Sequence, residues 1–390
     1  MNVLVYTSLF PNHMQPNFAV FVKQRMAHFA KLKGCRIRVV APVPYCPSWL
    51  SFGSWHIHSK IMAFETLDGI DIYHPRYPLI PKVSMSFHGL SLFVGSLGIV
   101  RRIHREFPFD LIDGHYIYPD GLAAVLLAKK MKKPVVLSAR GSDIHEFSHF
   151  KLIKPMIRFA LKKADHLIAV SRALKKEMVS LGVEEGHISV IPNGVDRDVF
   201  CPFARNKARS KLSIDPNSRI ILAVGNLIPL KGHQYIIDAL PRLINDFPRL
   251  RMYIVGKGPF YSELKSRISD LRLNAHVTLT GEVPNKMLRY WYSAADIFCL
   301  ASEKEGWANV IMESLACGTP VVATKVYGAP EIITTPKVGM LVDRNRNSIC
   351  QGLRQALETD WDRNYIREHV RNRDWFGTAR AVKSVFERYI

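Results

Sequence analysis

The chain has 390 residues, 48% of them hydrophobic, and its 54 Lys and Arg against 33 Asp and Glu give a formal charge of +21. That apolar share excludes a disordered chain, and the length suits two domains. Six scattered cysteines (Cys35, Cys46, Cys201, Cys299, Cys317, Cys350) form no C-x-x-C, which argues against a disulfide framework or a zinc ribbon and for buried thiols in a reducing compartment.

The N-terminus, MNVLVYTSLFP, enters an apolar strand with no basic segment before it. This is not the pattern of a signal peptide, so the cytoplasm is the expected location. No Asp or Glu precedes Glu65, whereas Lys23, Arg25, Lys31, Lys33, Arg36, Arg38 and Lys60 do, which makes this stretch a first candidate for docking on anionic lipid at the inner face of a membrane. Residues 83–100 carry no formal charge, but three glycines and four serines make them a buried or interfacial helix rather than a membrane span. FKLIKPMIRFALKK (150–163) is basic and amphipathic. It suits either an anionic membrane surface or acidic partner, or a half-buried helix with solvated lysines.

Strand-like runs recur at 2–6, 36–41, 110–114, 135–139, 166–171 and 188–192, separated by helix-length segments. After the turn PNGVD (192–196) a second series follows at 219–225, 251–256, 276–280, 295–301 and 320–326. Such alternation signals βαβ units and parallel sheets. The expected fold is α/β: two doubly wound Rossmann-like domains facing each other across a cleft at the carboxyl ends of their strands. Residues 1–195 would form the first domain and 196–372 the second.

The usual nucleotide motifs are missing. Gly256-Lys257-Gly258 follows a strand, yet no third glycine completes G-x-G-x-x-G, and no Walker A sequence occurs. Two D-x-D triplets, Asp196-Arg197-Asp198 and Asp360-Trp361-Asp362, lie away from mid-sheet strand ends and read as chance. SEKEGWANVIMESLACGTPVVAT (302–324) carries more. A strand feeds a loop containing Glu305 and Gly306, and a helix of about nine residues then starts at Asn309, with Gly318 in the place of a left-handed C-terminal cap. The loop delivers N–H groups to a helix N-terminus, a ready anion site. Glu305 sits in the loop, where a carboxylate suits sugar hydroxyls; Glu313, in the second helical turn, can reach a ribose diol. The plainer alternative makes Ser302-x-x-Glu305 a capping box and Glu313 a surface residue.

This stretch resembles the E-x7-E signature of the retaining glycosyltransferases of family 4, which have the GT-B fold, and is most like the group that builds teichuronic acids and exopolysaccharides. The resemblance extends through FPN (10–12), His115 after DLIDG, RGSDI (140–144), VIPNGVD (190–196), VGNLIPLKG (224–232) and IVGKGP (254–259). It implies transfer of a sugar, with retention, from a nucleotide diphospho-sugar to a saccharide or lipid-linked acceptor. Lys231 would pair with the diphosphate, and the amides of Gly306, Trp307, Ala308 and Asn309 would hold sugar and phosphate. Glu305 would contact the sugar hydroxyls, Glu313 the ribose, and His115 would face the sugar from the first domain. Asn226, Gly258, Val283 and Val310 would line the donor site, with Glu282, Val283 and Pro284 shaping its selectivity.

Ala19, Arg140 and Asp143 would lie on the acceptor side, Asp143 either orienting a hydroxyl or capping a helix. The segment 373–390 would cross back to brace the first domain. No metal or cofactor is implied, since Lys231 and the helix N-terminus stand where a cation would act. Asn226 replaces an arginine common in relatives, Ala19 a glycine, and Arg140 a histidine. Two other readings stand beside this one. A nucleotide-sugar epimerase of the same fold would interconvert donors without an acceptor. A basic nucleic-acid binder lacks any helix-turn-helix, RNP or zinc-finger pattern here.

Overall fold

The computed structural model describes residues 1–46, 56–79 and 85–390. They fall into two units, Met1–Asn193 with Trp375–Ile390, and Gly194–Asp374.

The strands of the first unit are β1 (Asn2–Tyr6), β2 (Arg36–Val40), β3 (Val43–Pro44), β4 (Phe64–Leu67), β5 (Ile70–Tyr73), β6 (Arg76–Tyr77), β7 (Leu111–His115), β8 (Val135–Ala139), β9 (His166–Ala169) and β10 (Ile188–Val190). Eight of them form one sheet in the order β10-β9-β8-β7-β1-β2-β5-β4, while β3 and β6 pair separately. Every sheet pairing is parallel except β4 with β5. The central strands β7 and β8 are buried at every position, as continuous apolar runs covered on both faces must be. Chain order reverses between β1 and β7, so this unit's switch point lies at the ends of those two strands. The C-terminal helix Trp375–Phe386 packs on helix Val20–Ala30, with Ala379, Val382, Val385 and Phe386 in the same core as Val22, Met26 and Phe29.

The uncharged run yields helix His88–Glu106, buried along Gly89, Leu92, Ser96, Val100 and Ile103; residues 83 and 84 lie outside the described residues. No helix among the described residues is long and apolar enough to cross a membrane.

The second unit contains β11 (Arg219–Val224), β12 (Leu250–Val255), β13 (Val277–Gly281), β14 (Ile297–Leu300), β15 (Val321–Thr324) and β16 (Gly339–Val342). Their order, β13-β12-β11-β14-β15-β16, is the doubly wound arrangement with its reversal between β11 and β14. The loops that leave those two strands carry Lys231 and Glu305. At the opposite ends of the strands, buried Asp296 accepts bonds from Arg209 (2.9 Å), Arg205 (3.2 Å) and the Ile220 amide (2.7 Å). Asp296→Ala would leave the buried Arg209 guanidinium without its carboxylate, so it is expected to destabilise this unit by about 3 kcal/mol. Urea denaturation followed by tryptophan fluorescence checks this; an unshifted midpoint would contradict it.

Candidate active site

The second unit's switch point is built by two loops tied to each other. Gly232 has φ 69, and a Cβ there would run into the Ala301 carbonyl, so only glycine lets the Lys231 loop approach the end of β14. The Glu303 amide donates to the Leu230 carbonyl (2.8 Å). Arg344 adds bonds to the carbonyls of Ala301 and Pro229, both at 3.1 Å. Thus positioned, Lys231 Nζ donates to Glu305 Oε1 at 2.6 Å, and Ser302 Oγ donates to the same oxygen at 2.7 Å. Ser302 itself is held by Thr324, whose hydroxyl donates to its carbonyl (2.6 Å).

The helix starts at Asn309, as the sequence implies, and runs to Ala316 with Gly318 left-handed (φ 76) beyond it. Ser302 and Glu305 bond each other and cap nothing, so the capping-box alternative fails. The N-cap residue is Ala308, which supplies no side-chain acceptor. Among the described residues no backbone carbonyl takes the N–H groups of Gly306, Trp307 or Ala308. Trp307 is buried, with Nε1 unpartnered, and Gly328 leaves room for its ring. Free N–H groups at a helix start, beside an ammonium, form a place for an anion.

Glu313 accepts from the Tyr292 hydroxyl (2.9 Å), and burial lifts its pKa to about 7. Tyr292 was not legible as its partner, since the pair depends on packing between two helices. Asn226 and Val283 lie on the exposed to half-exposed strand ends. Gly258 has a packing role: a Cβ there would strike the backbone of Leu227, so the glycine lets two strand-end loops touch. His233, the first residue of helix His233–Asp246, is buried with Nε2 on the Asn226 carbonyl (3.3 Å).

The first unit's switch point is closed by buried polar groups. His115 is fully buried; Nε2–H donates to Asp113 (2.9 Å), and Arg140 donates to Nδ1. Burial, against the pull of Asp113, lowers the histidine pKa to about 4, so it is neutral at physiological pH. Both ring nitrogens of His115 are engaged within the protein, at the carboxyl end of β7.

Arg140 donates to Asn193 as well (3.0 Å), and burial lowers its pKa to about 9. Asp143 accepts from the amides of Ile117 (2.8 Å), Arg140 and Gly141, and so ties the loop that follows β8. Ala19 has φ 47, a conformation that costs a non-glycine residue about 1 kcal/mol, and it begins helix Val20–Ala30. Arg25, on the buried stripe of that helix, bonds Ser138 (2.9 Å) and lies 4.0 Å from Asp113. Sequence reasoning missed it, although its spacing from Val22, Met26 and Phe29 was a signal. Asp120, held by Ser8 and lifted to about 7 by burial, was missed too. Among the described residues no group of three or more His, Cys, Asp or Glu is placed to hold a metal.

The model described as Glycosyltransferase Family 4 matches residues 20–199, and that for Glycosyl transferases group 1 matches 204–373. A GDP-mannose-dependent alpha-(1-6)-phosphatidylinositol monomannoside mannosyltransferase of Mycolicibacterium smegmatis is 32% identical, over 77% of this chain and 76% of its own. The chain belongs to glycosyltransferase family 4. The TuaC glycosyltransferase of Bacillus subtilis, assigned to teichuronic acid biosynthesis, is 29% identical over 93% of this chain and 90% of its own. The fold is GT-B: the HepE structure from Anabaena, in complex with UDP, superposes with a TM-score of 0.75 over all of both chains at 19% identity. This family 4 chain is a glycosyltransferase of glycan biosynthesis.

The raised Glu313 pKa has a consequence for stability. The folded chain keeps a proton that the unfolded chain releases near the ordinary value of 4.5, so stability falls as pH rises from there to about 7. Glu313→Gln keeps an acceptor for Tyr292 and removes the titration. It is expected to be more stable than the parent by about 3 kcal/mol at pH 8 and equal to it at pH 4. Urea midpoints across this range check the difference; a pH-independent difference would refute it.

Proposed function

We propose that this glycosyltransferase moves a sugar from a nucleotide diphospho-sugar to a saccharide or lipid-linked acceptor with retention at the anomeric carbon, without a metal ion. The observation that carries the reading is the Lys231–Glu305 pair beside free helix N-terminal amides at one switch point. The GDP-mannose dependence of the mycobacterial relative and the UDP bound to the Anabaena structure agree with a nucleotide diphosphate donor.

In this mechanism the bond between the anomeric carbon and the diphosphate oxygen breaks first, leaving oxocarbenium character on the ring. The charge gained by the diphosphate is met by the Lys231 ammonium and the amides of Gly306, Trp307 and Ala308, fixed before the reaction. The acceptor hydroxyl adds to the same face, and its proton passes to the departing phosphate oxygen. Glu305, oriented by Ser302 and Lys231, holds the sugar hydroxyls. Glu313 accepts from the ribose; Asn226, Val283 and Val310 line the nucleotide.

A panel of nucleotide sugars, screened for thermal stabilisation and then for transfer, identifies the donor. Lys231→Ala and Glu305→Ala are each expected to lower turnover by about 10²–10³-fold while the far-ultraviolet circular dichroism is unchanged. Parental turnover in both variants would overturn the site. Interconversion of free donors with no acceptor present would replace transfer by epimerisation.

A further inference from the structure

The cations of the first unit divide sharply by what surrounds them. Those before Glu65 are in good part engaged: Lys23 pairs with Asp68 (2.6 Å), Arg25 is buried, and Arg38 lies between Asp71 and Glu106 above the Phe107 ring. Lys31, Lys33 and Lys60 stay exposed, but among the described residues exposed apolar side chains are not interleaved with them as they are in the segment 150–163.

The segment 150–163 is different. Helix Lys154–Lys163 is seated by Ile157, Ala160 and Leu161, with Ile153 buried just before it. Lys151, Lys154, Arg158, Lys162 and Lys163 are all exposed, and none has an ion pair among the described residues. The segment holds no acidic residue. Exposed among these cations are Phe150, Leu152 (71% exposed) and Phe159.

A second set of uncovered apolar side chains lies in the same layer. Helices His88–Glu106 and Lys154–Lys163 both pack on helix Leu122–Met131. Phe87 (66% exposed), Leu90 and Val94 (69%) are spaced to share one face at the start of the first of these. Tyr118 connects the two regions: its hydroxyl donates to the Met85 carbonyl, and its ring lies 5.8 Å from Phe147, which in turn is 6.3 Å from Phe150.

We infer that the face made by Phe150–Lys163 with Phe87, Leu90 and Val94 docks on an anionic lipid surface. Unpaired ammonium and guanidinium groups on long stems reach phosphate at headgroup depth, while the aromatic and aliphatic side chains between them enter the acyl boundary. Because Ile157, Ala160 and Leu161 stay in the core, the helix binds as part of a rigid face. The inference goes beyond the transfer reaction and does not depend on it.

Co-sedimentation of the full chain with phosphatidylcholine vesicles, alone or containing about 30% phosphatidylglycerol, tests this. The parent is expected to bind only the anionic vesicles. Lys154→Glu/Arg158→Glu/Lys162→Glu should lower the partition coefficient about a hundredfold or more. Leu152→Ser/Phe159→Ser should lower it about tenfold and leave the remainder more sensitive to salt. Thermal midpoints and stabilisation by donor should match the parent, since the exchanged side chains lie on the exposed face; unaltered donor response with lost vesicle binding separates this inference from the transfer reading. Absence of parental binding to anionic vesicles, or parental binding by the charge variant, would overturn it. So would an unaffected Leu152/Phe159 variant with equally tight binding to polyglutamate or duplex DNA, which would mark a general polyanion patch.

Discussion

The second unit's switch point is organised by one ion pair, Lys231 Nζ with Glu305 Oε1 at 2.6 Å, drawn together from 74 residues apart. It exists because β11 and β14 are neighbours in space at the reversal of the sheet, so their exit loops must meet. Glycine at 232 permits the approach, the Glu303–Leu230 backbone bond fixes it, and Ser302 and Thr324 orient the carboxylate. Opposite charges held this way keep the site near neutrality. They also leave the ammonium with donors to spare, since one hydrogen bond uses one of its three.

The two switch points use charge in opposite ways. At the second, an ammonium and amide groups remain open at the start of a helix. At the first, His115 bonds Asp113 and Arg140, and Arg25 bonds Ser138 while lying 4.0 Å from Asp113, all beneath the surface. Two buried guanidiniums lie near Asp113, whose pKa is held below the usual range: burial raises it, but His115 and Arg25 outweigh that. Such a network fixes the ends of β7 and β8. It explains why a histidine at a strand end, which sequence position alone marks for a ligand, is here held by the protein.

What the sequence reveals follows the range of the interactions. The long central strands are legible because both their faces are buried, which forces unbroken apolar runs such as NVLVY and VVLSA. The hairpin of β4 and β5, the two-residue pair of β3 and β6, and the edge strand β16 escape notice; they are short, and β4, β5 and β16 are only partly buried. Likewise the helix from Asn309 is readable, since its start, its left-handed Gly318 and Pro320 all lie within one stretch. The Tyr292–Glu313 bond and the Arg25 cluster are not, because their partners are set by packing between distant segments.

Short motifs behave by the same logic. Gly256 and Gly258 look like part of a phosphate loop, yet each is glycine because a neighbouring backbone, that of Gly225 or Leu227, fills the space of a side chain. The D-x-D triplets are also local devices: Asp196 accepts from the Asp198 and Val199 amides, and Asp362 caps helix Arg363–His369. Ala308 is the contrary case. Serine or aspartate at a helix start would satisfy the first-turn amides internally and stabilise the helix by about 1 kcal/mol. Alanine forgoes that gain, and the first-turn amides find backbone acceptors instead: Asn309 donates to the Trp307 carbonyl and Ile311 to that of Ala308, both at 3.0 Å.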